Sequence, residues 1–229
     1  MRHRIQHVLF GAAAAVALIL NGTTSHAALM ISLNDGLGHS ATITDQGAGD
    51  LNSNLGAVTF LGGIGVFTIN VTTGISKPLM GSATSPELDL NSVDVIAGAV
   101  GGTLTLEVTD TDFIGSAGIG EFLSEIGGTQ SGSISYSTFL DCSNAAFGTG
   151  TPLSSQGYST GSFSGSQTNA ATACGGNYSL TEEIVMTLPG SGTTSFDASL
   201  QSVSEPATLA LLGFGLLGMV LIPRRQRAS

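Results

Sequence analysis

TLTLEVT, residues 103–109, alternates apolar and polar side chains one for one. A β-strand sends successive side chains to opposite faces, so Leu104, Leu106 and Val108 share one face while Thr and Glu take the other. A helix would scatter them around its circumference. The same period returns in VFTINVT (66–72), with Phe67, Ile69 and Val71, and in SFDASLQS (195–202), with Phe196, Ala198 and Leu200. AVTF (57–60) and EIVMTL (183–188) are shorter examples. One packed face and one wet face is the pattern of an antiparallel sheet. Gly-rich and Asn/Asp-rich punctuation separates the runs, so the sequence predicts an all-β fold, an antiparallel β-sandwich of roughly nine to eleven strands. Jelly-roll-like and Ig-like topologies are both open. GIGEFLSEIGG (118–128) is the one helix candidate of this region, shortened by its glycines.

The chain has 229 residues, 33 of them Gly, and no Trp. All of its 16 acidic residues except Glu205 lie between Ala28 and Val203, against a single basic residue there, Lys77. No basic surface for phosphate can be built from one lysine, so nucleic acid is excluded as a partner.

The N-terminus places Arg2 and Arg4 before an apolar run from Val8 to Leu20, followed by Ser25 and Ala27 at small positions. This is the pattern of a signal helix cut by signal peptidase between Ala27 and Ala28. The expected organisation is a signal peptide at 1–27, an exported β-sandwich at 28–203 and a C-terminal targeting segment at 204–229. Export carries the two cysteines, Cys142 and Cys174, into an oxidising compartment, which predicts a disulfide. The stretch between them has little periodicity, and the bond would tether it as a long loop.

Catalytic groups are sparse. His39, in GLGHSAT, is the only histidine after the signal, and it lacks a nucleophile-elbow motif or metal-ligand spacing. It reads as a turn histidine, and Lys77 is an equally weak catalytic candidate. Tyr136, Tyr158 and Tyr178 are the only tyrosines, poor material for a sugar-stacking platform. No catalytic residue is assigned. A pair of carboxylates brought together by the fold would be the route to a polysaccharide-acting enzyme. TDQGAGDLNSN (44–54) and EVTDTDF (107–113) offer Asp45, Asp50, Asp110 and Asp112 as candidate ligands for a structural calcium ion, Asp110 and Asp112 standing beyond a strand. Neither stretch completes an EF-hand or a nonapeptide calcium repeat, and ordinary turn carboxylates are the competing and stronger reading.

The chain closes on SEPATLALLGFGLLGMVLIPRRQRAS (204–229). Residues 207–222 form an uncharged run of about 24 Å as a transmembrane helix, bounded by Pro206 and by Arg224, Arg225 and Arg227. Arginines stay on the cytoplasmic side, which puts residues 28–203 outside the inner membrane. This arrangement resembles the PEP-CTERM sorting signal of Gram-negative bacteria: a Pro-Glu-Pro tripeptide, a short Leu/Gly-rich helix and an Arg-rich cluster. Glu205 and Pro206 match the tripeptide, and Ser204 stands in place of its first proline. The resemblance implies recognition by an exosortase, a membrane-embedded cysteine transpeptidase-like enzyme. It also implies export, often in organisms that make exopolysaccharide, and no catalytic residue. The expected function is a non-enzymatic protein of the cell surface or extracellular matrix, held at the membrane by its C-terminal helix before processing. A carbohydrate-binding module or a carboxylate-based polysaccharide-acting enzyme of the cell envelope is the alternative.

Overall fold

In a computed structural model, which describes residues 28–115, 120–159 and 161–203, residues 103–109 lie in a central strand. Twelve strands are present: β1 (Met30–Asn34), β2 (Ser40–Thr44), β3 (Ala57–Ile64), β4 (Phe67–Ile75), β5 (Glu87–Ala97) and β6 (Gly102–Ile114). They continue with β7 (Glu121–Gln130), β8 (Ser133–Asp141), β9 (Thr151–Tyr158), β10 (Gly161–Ala170), β11 (Asn177–Leu188) and β12 (Thr193–Val203). Two antiparallel six-stranded sheets result, in the orders β2-β1-β6-β11-β8-β9 and β10-β7-β12-β5-β4-β3.

The last eight strands settle the topology. Those in sequence positions one, eight, three and six of this set (β5, β12, β7, β10) run side by side in one sheet, and positions two, seven, four and five (β6, β11, β8, β9) in the other. This is the jelly roll, two Greek keys wound into facing sheets. The first four strands extend it: β1 and β2 lie beside β6, and β3 and β4 beside β5.

The core is assembled from the alternation read in the sequence. Leu104, Leu106 and Val108 are fully buried, with Leu106 paired between Leu33 and Ile184. Phe196, Ala198 and Leu200 face them from the other sheet, with Leu88, Leu90, Val93 and Val95. In β4 the expected phase holds through Ile69. Register shifts on either side of Val71 then reset it, and buried positions resume at Thr72 and Gly74.

Three expectations are corrected. EFLSEIGGTQ is strand β7, because Phe122, Ser124 and Ile126 recur at a period of two and all turn inward. The stretch between the cysteines contributes β9 and β10. Its Ser/Gly alternation carries no hydrophobic signal, since β10 is an edge strand whose residues are all exposed or half-buried. Asp110 and Asp112 lie within β6 rather than beyond it.

The two ends of the sandwich differ. Short turns at 65–66, 98–101, 131–132 and 189–192 cluster at one end, and the long loops 45–56, 76–86 and 142–150 at the other. Strand β1 starts and β12 ends at the long-loop end. There the Ala28 amide donates to Thr111 Oγ1 at 3.1 Å, and Ser202 N donates to Pro86 O at 3.0 Å. The expected signal peptide at 1–27 and the expected transmembrane helix at 207–222 lie outside the described residues.

Candidate functional site

Lys77 stands at the start of the 76–86 loop, on a cis peptide to Pro78. Ser76 fixes it from both sides, donating its amide to Gly56 O and its hydroxyl to Glu87 O. The lysine stem then runs inward. Its side chain is only 11% exposed, and Nζ reaches Asp110 Oδ2 at 2.8 Å, the Thr111 carbonyl, and the Phe113 ring with 3.7 Å to its centroid. Asp110 continues the inward phase of Leu104, Leu106 and Val108, and a β-bulge follows it: Tyr178 pairs with Phe113 and Leu180 with Asp110, so Thr111 and Asp112 together oppose one residue of β11, and Phe113 rather than Asp112 turns to the interior. Burial lowers the Lys77 pKa and raises that of Asp110, while each partner's charge pulls the other back. Beside the pair opens a cavity of about 460 Å³ bounded by Asp45, Leu55, Lys77, Pro78, Ser82 and Ala83, among other residues.

The four candidate calcium ligands are placed apart in their roles. Asp45 Oδ2 accepts the Gly56 amide at 2.7 Å, and Asp50 Oδ1 accepts the Asn52 and Thr59 amides at 2.8 and 2.9 Å, shaping the 45–56 loop. Asp110 holds Lys77, and Asp112 Oδ1 accepts Asn144 Nδ2 at 2.8 Å and Asn177 Nδ2 at 3.3 Å. Among the described residues no three His, Cys, Asp or Glu side chains are grouped to hold a metal ion.

Cys142 and Cys174 are bonded, with Cα atoms 5.3 Å apart, at the long-loop end. His39 sits at the opposite end, in the β1–β2 turn, where Nδ1 lies 2.6 Å from Asp35 Oδ2 and the imidazole is largely exposed. The Leu37 and His39 amides also point at Asp35 Oδ1, so the carboxylate organises the turn.

One carboxylate pair escaped the sequence reading. Asp89 of β5 and Asp197 of β12 lie on the outward side of the second sheet, and burial, then Asp197, then Glu87 push Asp89 up to about 6. Asp197 sits at a register shift in β12 and accepts the Ser92 amide at 2.7 Å. Alternation marks both as outward-facing, but their meeting depends on a pairing of strands about a hundred residues apart, which no local pattern encodes.

Ser204, Glu205, Pro206, Arg224, Arg225 and Arg227 lie outside the described residues, as does Ala27; Ala28 is the first residue described. Among the described residues no helix is long and apolar enough to cross a membrane. A family model described as the PEP-CTERM protein-sorting motif matches residues 202–225. No curated protein matches the chain. Among solved structures the chain is similar to the enzymatically active domain of tailspike protein 4 of bacteriophage CBA120, at 13% identity and a TM-score of 0.34. That alignment covers 60% of this chain and 19% of the tailspike chain.

Proposed function

We propose that this PEP-CTERM sorting-motif protein is a non-enzymatic component of the cell surface or extracellular matrix, exported by its signal peptide and released from a membrane anchor by an exosortase-type enzyme. The motif implies an exported, exosortase-targeted protein. The observation that carries the fuller reading is where the motif begins: residue 202, in the last turn of the ladder of β12, with the folded strand ending at Val203. The sorting element therefore follows the jelly roll without a spacer. The division into 1–27, 28–203 and 204–229 belongs to this reading, and Leu29, just after the expected cleavage point, packs in the core at 1% exposure. Signal peptidase and the exosortase are the processing partners, the inner membrane is the transient anchor of helix 207–222, and exopolysaccharide is the candidate surface partner.

Changing Arg224, Arg225 and Arg227 together to Gln tests it in producing cells. Loss of retention or processing, read by intact mass and by the membrane-to-medium ratio, is expected with the sandwich still folded. An unchanged mass and distribution would end the sorting role of the cluster.

Asp89 and Asp197 favour the second reading, a carboxylate-based polysaccharide-acting enzyme, because one carboxyl is held protonated to higher pH beside a second. Hydrolysis of the producing strain's own polysaccharide, abolished in both Asp89→Asn and Asp197→Asn, would establish it.

A further inference from the structure

Each sheet of the sandwich has two edges, and the four edge strands are not alike. An exposed edge offers unpaired backbone donors and acceptors to any other strand, and folded proteins blunt such edges with short strands, bulges, proline or a covering group. β2 is five residues long. β3 is broken by a register shift between Phe60 and Gly62. β9 contains Pro152, has a register shift in its pairing with β8, and is covered at Ser155, whose amide and carbonyl both bond the Gln167 side chain.

β10 has none of these devices. It pairs with β7 over ten consecutive positions, from Gly161 with Gln130 to Ala170 with Glu121, without a shift. Its sequence, GSFSGSQTNA, contains no proline and no charge. Its inner side is fixed: Phe163 stacks on Tyr158 at 5.0 Å between centroids, and Gly165 leaves the space that the Tyr158 hydroxyl fills, where a Cβ would collide with that oxygen. Its outer side presents the small exposed side chains of Ser162, Ser164, Ser166 and Thr168. Among the described residues β7 is the only strand paired with its backbone, and β9 reaches it through the Gln167 side chain on the inner side.

We propose that β10 is the surface through which a second copy of this chain pairs, antiparallel and about a two-fold axis, joining two six-stranded sheets into one of twelve strands. This goes beyond the sorting reading and does not rest on it. A second copy is the occupant the surface fits. Identical strands in antiparallel register match donor to acceptor along their whole length, and the isologous two-fold closes the assembly at two. Charge points the same way. A chain with one cation between Ala28 and Val203 repels its own copies over most of its surface, and β10 is a long, charge-free strip where two can approach. The serine and threonine row adds no bulk that would hold the backbones apart.

The test uses protein recovered from its producing cells and its molar mass by light scattering from low to high micromolar concentration. The parent is expected to move from the mass of one chain to that of two. Ser164→Lys with Thr168→Lys, and separately Ser164→Glu with Thr168→Glu, place like charges across the two-fold on exposed positions, and each should weaken pairing by roughly tenfold or more. Mixing the Lys and Glu variants should restore the doubled mass, which misfolded variants could not do. A parent that stays single at every concentration overturns the proposal. So does a parent that pairs while the Lys variant pairs equally well, or variants that fail to pair with each other when mixed.

Discussion

The Tyr136 hydroxyl lies 2.6 Å from Glu182 Oε1 and 2.9 Å from the Ser199 carbonyl oxygen, between the two sheets and out of reach of water. A phenol has one hydrogen and cannot donate to both. Both contacts of the phenol become hydrogen bonds when Glu182 carries a proton of its own, donating to the phenol oxygen while the phenol donates to Ser199, and a neutral carboxyl also suits the buried Glu182 Oε2, which has no partner among the described residues. Burial pushes Glu182 up to about 8, against the pull of the Tyr136 hydrogen bond, and Asp89 adds to the rise. The Tyr136 pKa is raised too, by burial and then by Glu182, with Asp89 and Glu125 contributing from the facing sheet.

Stability should therefore fall as pH rises. Glu182 ionises near 4.5 when unfolded and near 8 when folded, so its proton is held by both states below the first value and by the folded state alone between them. Its contribution is fully present below about 4.5 and is lost toward 8, at up to about 1.4 kcal/mol per pH unit. Asp89, raised to about 6, acts in the same direction over the acidic part of that window. Urea midpoints from pH 5 to 9 should decline in the parent and flatten in Glu182→Gln, with the variant gaining on the parent at the alkaline end. A parent midpoint that rises with pH would contradict a protonated Glu182.

The Lys77–Asp110 pair predicts a double-mutant result. Lys77→Met leaves a fully buried carboxylate without its cation, and the loss should be about 3–5 kcal/mol. Lys77→Met with Asp110→Leu removes both charges and should recover a large part of it, because the desolvation of each is removed with the charge. Denaturant unfolding of the four species measures the coupling. Equal losses in the single and double variants would show that the ion pair is not what the lysine contributes.

The cysteine bond closes 32 residues that include β9 and β10. Replacing both cysteines by serine should cost roughly 3–4 kcal/mol through the freed unfolded chain. Urea unfolding measures the loss, and pulse proteolysis should find the first cuts in this excursion.

Gly74 predicts an overpacked variant. A Cβ there would stand 2.8 Å from Val108 Cγ2 and 3.3 Å from Val58 Cγ1, both on buried residues. Gly74→Ala should destabilise by about 1–3 kcal/mol, and Gly74→Ala with Val108→Ala should cost less than the sum of the two single changes. Thermal unfolding of the three variants decides it.

The layers of this fold were legible because Leu104, Leu106, Val108, Phe196 and Leu200 report their face by spacing alone. The winding was not, since the choice between jelly roll and Ig-like order rests on which strands become neighbours, and β5 meets β12 across about a hundred residues. β7 was misread because glycines and a buried Ser124 diluted its period, and β10 was passed over because hydroxyl side chains on an edge leave no hydrophobic trace. The cysteine pairing needed only a count of two. Asp110 extends the inward alternation of Leu104, Leu106 and Val108, but its partner Lys77 stands 33 residues away, and the turn of Asp112 toward Asn144 needed the bulge opposite Ser179.

The start of β1 and the end of β12 at one end give the sandwich a root and a crown. The long loops, the cavity beside Lys77 and the disulfide belong to the root; the short turns, with Leu37 and Val100 standing bare at 79% and 84% exposure, form the crown. If residues 204–229 hold the chain at the membrane as proposed, the crown is the part turned toward whatever lies beyond the cell. A two-fold pair built on β10 points its two roots in opposite directions. Neighbours planted in the same bilayer stand side by side with parallel strands and cannot form it, whereas molecules cut loose, or rooted in two apposed cells, can. Removal of the tail would thus decide when copies join, turning a lawn of separate posts into linked couples.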